Sequence, residues 1–249
     1  DDAARNGTPA SEFIEIAWRG EAVRIEHAWI PGPRQGGPLI VFLHEGLGCL
    51  RQWRDLPWRL CEAAGARGLV WSRPGYGRST PRARGESWGH RYLHEQALEV
   101  MPTFFEALGL DTVRDPPWLL GHSDGGSIAL LHGARSPARV AGLVVLAPHI
   151  LVEPRTLEGV EAARHAYLHG NLRARLATLH DDPDGAFFGW NDVWRDPSFR
   201  DWSIENELPS ITAPVLAVQG LQDAYGGTAQ VRGIAQRVPG TRVLEWPDC

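Results

Sequence analysis

The stretch PWLLGHSDGGSIALLHG, residues 117–133, admits few folds. Its first part, PWLLGHS, is a continuous apolar run that reads as a strand buried on both faces. Through Gly121-His122-Ser123-Asp124-Gly125 it turns directly into DGGSIALLHGARS, which reads as a helix. A strand that becomes a helix at a single tight bend strains the backbone of the residue at that bend, so its close neighbours must be small. Gly121 and Gly125 meet that demand, and Gly126 lets the helix pack closely. Shifting the register by one would place Asp124 at the bend and leave His122 where a small residue is required. The bend therefore selects Ser123, with its hydroxyl aimed outward.

The rest of the chain falls into line around this unit. EFIEIAWRG and AVRIEHAWI (12–20 and 22–30) alternate apolar and polar residues around a Gly-Glu turn and read as an antiparallel hairpin at a sheet edge. PGPRQGG then interrupts the chain. Strands are expected at 38–45, 66–72, 117–123, 140–148, 213–220 and 241–247, with helices at about 52–64, 91–109, 124–136 and 228–237 between them. This alternation predicts an α/β fold, a mostly parallel central sheet with helices on both faces. Residues 151–212 break the alternation and read as two or three helices rich in aromatics. We therefore expect residues 1–150 and 213–249 to form one core domain, and 151–212 a helical lid over a pocket. Tyr167, Phe187, Phe188, Phe199 and Trp202 are expected to form the lid's own core, and Trp190 and Trp194 to face the pocket.

Composition narrows the partners. The net charge of −5 gives no electrostatic reason to bind nucleic acid or an anionic membrane. All 25 basic residues are arginine, which removes Schiff-base and Walker-type lysine chemistry. Three widely spaced cysteines fit neither a disulfide framework nor a zinc pattern, so a reducing, cytoplasmic setting is expected. The polar N-terminus has no signal-like apolar core, and no apolar run is long enough to span a bilayer, so the reading is of a soluble protein. The sole methionine is Met101, and the sequence stops just after a strand, so the natural chain is expected to continue past Cys249.

With Ser123 in its G-x-S-x-G setting, LHEGLG (43–48) and SRPGYGRST (72–80), the chain resembles the α/β-hydrolase fold, in particular its lidded, esterase-like serine hydrolases. The likeness runs from PLIVFLHEGLG to VLEWPDC. It implies that Ser123 is a nucleophile and that the backbone N–H groups of Gly46 and Asp124 form an oxyanion hole, with Leu47 in place of Gly46 if the register slips. Glu45 stands where the family's first glycine is usual, and is expected to shape the pocket or bind a polar substrate group. Ser72 stands where an aspartate is common. The acid of the triad falls on Asp223, in the loop after 213–220; the alternative position, Pro148-His149-Ile150, offers no carboxylate before Glu153. No histidine follows Asp223. Of the ten earlier ones, His44 and His122 are expected to pack inward, His149 is the available substitute, and the base is expected beyond Cys249.

The resemblance implies hydrolysis of a small ester or related acyl compound, with no cofactor and no metal. Carbon–carbon bond hydrolysis, cofactor-free haloperoxidase activity and a non-catalytic ligand-binding role remain alternatives on the same fold.

Overall fold

Eight strands hydrogen-bond into one sheet in the order β1-β2-β4-β3-β5-β6-β7-β8, and a helical layer covers each face. The computed structural model describes residues 10–33 and 36–249. The expectation for the extreme N-terminus, and residues 34–35 of the PGPRQGG connection, lie outside them.

The hairpin β1 (Glu12–Trp18) and β2 (Glu21–Ile30) forms one antiparallel edge. β2 joins the sheet by pairing antiparallel with β4 (Arg67–Trp71), and the pairs among β4, β3 (Leu39–Leu43), β5 (Trp118–His122), β6 (Gly142–Leu146), β7 (Val215–Gly220) and β8 (Arg242–Trp246) are all parallel. β5 lies mid-sheet, with Leu119 level with Val41 of β3 and Leu143 of β6. These three side chains are fully buried in the larger core cluster, whereas Phe42, Val70 and Leu120 point the other way into a second cluster. Apolar contacts on both faces explain the unbroken hydrophobic runs. β8, at the opposite edge, alternates half-buried and exposed residues instead.

α1 (Leu56–Ala64) covers one face, and a short 3-10 turn (Leu50–Trp53) precedes it. The helix expected near 91–109 runs as α2 (Tyr92–Glu95), a widened π turn (Gln96–Val100) and α3 (Met101–Ala107). Pro102 cannot donate to the Leu98 carbonyl and its ring crowds that group, which accounts for the widened turn just before it. α4 (Asp124–Arg135), the helix leaving the bend, is buried at every residue except Arg135. α8 (Thr228–Arg237) covers the far end of the sheet.

Between β6 and β7 the chain forms the inserted helical region, with α5 (Pro154–His169), α6 (Leu172–Leu176) and α7 (Pro183–Arg195). Its aromatics stack in pairs, Tyr167 on Phe187 at 3.8 Å and Phe199 on Trp202 at 5.3 Å between centroids. They are not a separate core, however. Phe199 and Trp194 continue into Tyr92 and Trp88 of the main layer, so lid and sheet share one apolar cluster. Among the described residues no helix is long and apolar enough to cross a membrane.

Candidate active site

Ser123 sits between β5 and α4 at φ 51° and ψ −116°, a conformation L-residues seldom adopt. Such a residue costs about 1–3 kcal/mol and persists only when its surroundings leave no alternative. Here they leave none. Its N–H donates to the Leu146 carbonyl at 2.9 Å, and its own carbonyl accepts from Gly126 and Ser127. A Cβ at Gly121 would overlap the Gly125 carbonyl, and one at Gly125 would overlap the Leu43 carbonyl. Backbone meets backbone at both positions, so neither can yield.

The bend opens on a cavity of about 450 Å³. Glu45, Gly46 and Leu47 form one wall, Ser123 and Asp124 the floor, and Asp223, Ala224 and Tyr225 the opposite wall. The lid contributes Trp190 and Trp194. Thus the structure brings every sequence-predicted site residue to one cavity. Among the described residues, neither the Gly46 N–H nor the Asp124 N–H donates to a protein acceptor. The Leu47 N–H is engaged: it donates to the Glu45 carboxylate, which turns back over its own loop. The Trp190 indole lies so close over Gly46 that any larger residue there would collide with it.

Beneath this loop lies a buried polar network. His44 donates from Nδ1 to the Glu45 carbonyl at 2.7 Å and accepts at Nε2 from the Arg73 N–H at 3.1 Å, so both ring nitrogens are occupied. Burial and the adjacent Arg73 hold its pKa well below the usual histidine value. Arg73, fully buried, also donates to the Glu45 carbonyl and lies 3.9 Å from Asp124 Oδ2. That oxygen accepts from Tyr92 Oη at 2.8 Å, which in turn accepts from Trp194 Nε1 at 2.6 Å. Asp124 thus has a structural side chain, and its carboxyl pKa is raised by burial against the opposing pull of Arg73.

Two contacts went unread in the sequence. Ser72 Oγ donates to Glu26 Oε2 at 2.8 Å and accepts from Leu50 N, so a carboxylate from β2 serves the loop where the family commonly has an aspartate. His180, from the lid, accepts at Nδ1 from the Gly77 N–H at 2.8 Å and donates from Nε2 to the Leu47 carbonyl at 2.9 Å. A backbone N–H can only donate and a carbonyl only accept, so these partners fix a neutral tautomer.

On the far wall, Asp223 Oδ1 accepts from the Tyr225 and Gly226 N–H groups at 2.7 and 2.9 Å. The Gln222 N–H beside it donates to the Cys249 carbonyl at 2.7 Å. Two imidazoles face the same cavity, His122 and His149. The expectation that His122 packs inward is corrected: as the last residue of β5 it stands at the open end of the sheet, beside the elbow. Burial lowers the pKa of both, that of His149 to about 4, while the Asp223 charge opposes the shift. Among the described residues His149 Nδ1 has no hydrogen-bond partner; its ring meets Trp194 edge-on at 5.1 Å. Also unread were Leu172, Leu176 and Leu179, which line the cavity from α6 and the turn after it. Their i, i+4, i+7 spacing was a legible apolar stripe.

Comparison with known proteins agrees with this architecture. Residues 38–193 match the family model described as the alpha/beta hydrolase fold. Human monoglyceride lipase is 46% identical over 41 residues, a match covering 16% of this chain and 14% of that protein's length. A bacterial membrane phospholipase A described as a virulence factor superposes with a TM-score of 0.72 at 20% identity, over 98% of this chain and 81% of its own. A hydrolase from Pseudomonas aeruginosa gives 0.70 at 19% identity, over 95% and 91%. A thermophilic esterase from Thermogutta terrifontis gives 0.69 at 15% identity, over 96% and 90%. At such identities the structural likeness speaks to fold. The family match, spanning more than half the chain, and the strained serine between two obligatory glycines together lead to one conclusion: the chain belongs to the α/β-hydrolase fold family.

Proposed function

We propose that the chain is a serine hydrolase that cleaves a small carboxylic ester or related acyl compound through an acyl-enzyme on Ser123. The observation that carries this reading is the hydroxyl of Ser123 at a strained bend, opening on a cavity where the Gly46 and Asp124 amides have no protein acceptor. In this reading Ser123 Oγ attacks the carbonyl carbon and its proton passes to a base. The Gly46 and Asp124 N–H groups hold the oxyanion, each worth about 2.7–4 kcal/mol in the transition state. The base returns the proton to the leaving alkoxide, and water then releases the carboxylic acid by the same route. Asp223, its Oδ1 held by two backbone amides, orients and charge-balances the base.

The base is the open position. A histidine supplied after Cys249 would enter beside Asp223, because the Cys249 carbonyl is tied to the same loop. Within the 249 residues, His149 is the substitute: it faces the cavity, has a free Nδ1, and is held neutral by burial. Cys49 and Cys61 are free and buried and Cys249 is free and exposed, which fits the proposed reducing, cytoplasmic setting.

A panel of p-nitrophenyl esters tests the reading, assayed with the 249-residue chain, with a form carrying any native residues that follow Cys249, and with Ser123→Ala of each. Turnover confined to a form with intact Ser123 supports it; equal turnover by the Ser123→Ala variants overturns it. A second reading, a non-catalytic ligand-binding member of the fold, draws on one observation: among the described residues no imidazole is hydrogen-bonded to Ser123 or Asp223. Ligand uptake without turnover in both chain lengths would favour it.

A further inference from the structure

Glu45 is the one acid of the cavity wall whose place in the chain the hydrolase reading leaves without a task. Its carboxylate accepts from the Leu47 N–H and lies across Gly48, where a Cβ would meet Oε1 at 3.1 Å. Among the described residues it has no ion-pair partner; the neighbouring Arg73 guanidinium donates to the Glu45 carbonyl and lies 3.9 Å from Asp124 but makes no hydrogen bond to the Glu45 carboxylate. The Asp223 carboxylate, on the opposite wall, likewise makes no ion pair among the described residues; Arg155, on the lid, reaches only its backbone carbonyl, at 3.1 Å. Burial lowers the pKa of both His122 and His149, disfavouring a positive charge on either ring. The one positive lining residue is Arg175, exposed on α6 at the solvent side and therefore screened. The inner cavity is thus acidic, within otherwise apolar walls.

That arrangement is awkward for a neutral or anionic substrate. A carboxylate next to the Gly46 N–H opposes negative charge growing on an oxyanion held there. A positive group on the substrate removes the conflict by pairing with Glu45. The aromatic faces needed to favour such a group are at hand: Trp190 overlies Gly46, and Tyr225, 6.4 Å from Trp190 between centroids, feels the Glu45 charge.

Resting on the hydrolase reading and deepening it, we propose that Glu45 is the specificity-determining group of this cavity, selecting acyl compounds with an ammonium group a few bonds from the scissile carbonyl and rejecting those with a carboxylate there. Burial, with Asp124 adding to it and Arg73 opposing, brings the Glu45 pKa up to about 7, so the selectivity is to be strongest above neutrality and to fade as the pH falls. The other titratable or charged groups facing it are Tyr76 and Arg73 beneath the loop, Tyr225 and Asp223 opposite, and Arg175, His122 and His149 around the cavity.

The test has a binding arm and a turnover arm. Isothermal titration with propylammonium, propanol and propionate at pH 8 is expected to rank them in that order, with at least a tenfold gap between the first and the last. Glu45→Gln, which keeps an oxygen for the Leu47 N–H, is expected to close the gap. In turnover, the p-nitrophenyl ester of β-alanine is expected to exceed the propionate ester at least tenfold in kcat/KM at pH 8, and the monosuccinate ester to be slowest. Between pH 8 and pH 6 that ratio should collapse in the native chain and stay flat in Glu45→Gln. If no ester is turned over, the hydrolase reading fails while the binding order still judges Glu45. A ranking that ignores charge, or one that Glu45→Gln leaves intact, overturns the proposal.

Discussion

The two walls of the cavity are built differently. On the elbow side, Gly121, Gly125 and Ser123 are held by backbone against backbone, over a buried network of His44, Arg73, Asp124 and Tyr92. On the acid side, Asp223 sits in a half-exposed loop next to the edge strand β8 and is held mainly by the amides of its own turn. The contrast teaches that the Ser123 hydroxyl and the proposed oxyanion donors are placed by steric necessity, whereas the proposed acid, Asp223, is placed by a partly exposed loop. Preorganisation matters most where charge develops, and that is the rigid wall.

The largest expected effect breaks the rigid wall. Gly125→Ala pushes a methyl into the Leu43 carbonyl, which cannot move without the sheet, and is expected to cost on the order of 4 kcal/mol or to prevent folding. Gly226→Ala, on the other wall, meets His149 Cε1 at an ordinary 3.4 Å and is expected to cost less than about 1 kcal/mol, both variants being compared with the native chain by urea denaturation. Similar losses for the two would remove the distinction.

Next come the chemical groups. In a form that turns over esters, Ser123→Ala is expected to lower kcat by on the order of 10⁶ and Asp223→Asn by roughly 10⁴, both with unchanged melting temperature. Asn at 223 keeps an oxygen for the Tyr225 and Gly226 amides and loses only the charge. An Asp223→Asn enzyme with native kcat would reassign the acid.

A smaller effect concerns the contact between lid and rigid wall. His180→Ala leaves the Gly77 N–H and the Leu47 carbonyl unpaired, which is expected to cost about 2 kcal/mol and to loosen the loop that carries Gly46. His180→Asn, able to both donate and accept, should recover part of it, whereas a purely space-filling role would be better met by Leu.

The smallest effect is on pH dependence. The pKa values of His44, His149 and His180 are lowered in the folded chain, so below about 6.5 the unfolded state takes up protons that the folded state refuses. Stability from these groups is complete above that pH and is lost as the pH falls. Glu45 acts in the opposite sense. Its raised pKa means the folded state holds a proton that the unfolded state releases between the ordinary glutamate value of 4.5 and about 7, so its contribution declines as the pH rises. Melting temperatures at pH 5, 6.5 and 8 check both: Glu45→Gln is expected to gain on the native chain at pH 8 and not at pH 5.

The same division governs what could be read in the sequence. The elbow was legible because its constraint is local, small residues at fixed offsets from a bend between a buried strand and a helix. The alternation of strands and helices was legible for the same reason. His122 was misjudged because PWLLGH is apolar throughout and offers no alternation from which to read a face. The help Glu26 gives Ser72, the bridge made by His180, and the network linking Arg73 to Asp124 span 46, 103 or 133, and 51 positions; such contacts leave no periodic trace. The π turn before Pro102 was hidden for a different cause, since a proline within a helical run signals a break rather than a widened turn.

The central claim, that Ser123 is the nucleophile of this cavity, is tested most directly by treating the protein with diethyl p-nitrophenyl phosphate and locating the adduct by peptide mass spectrometry. The account predicts one diethylphosphoryl group, on the serine of the GHSDGG peptide, absent in Ser123→Ala and slowed in Asp223→Asn. A phosphorylated residue elsewhere, or labelling of native and Ser123→Ala chains alike, would contradict it.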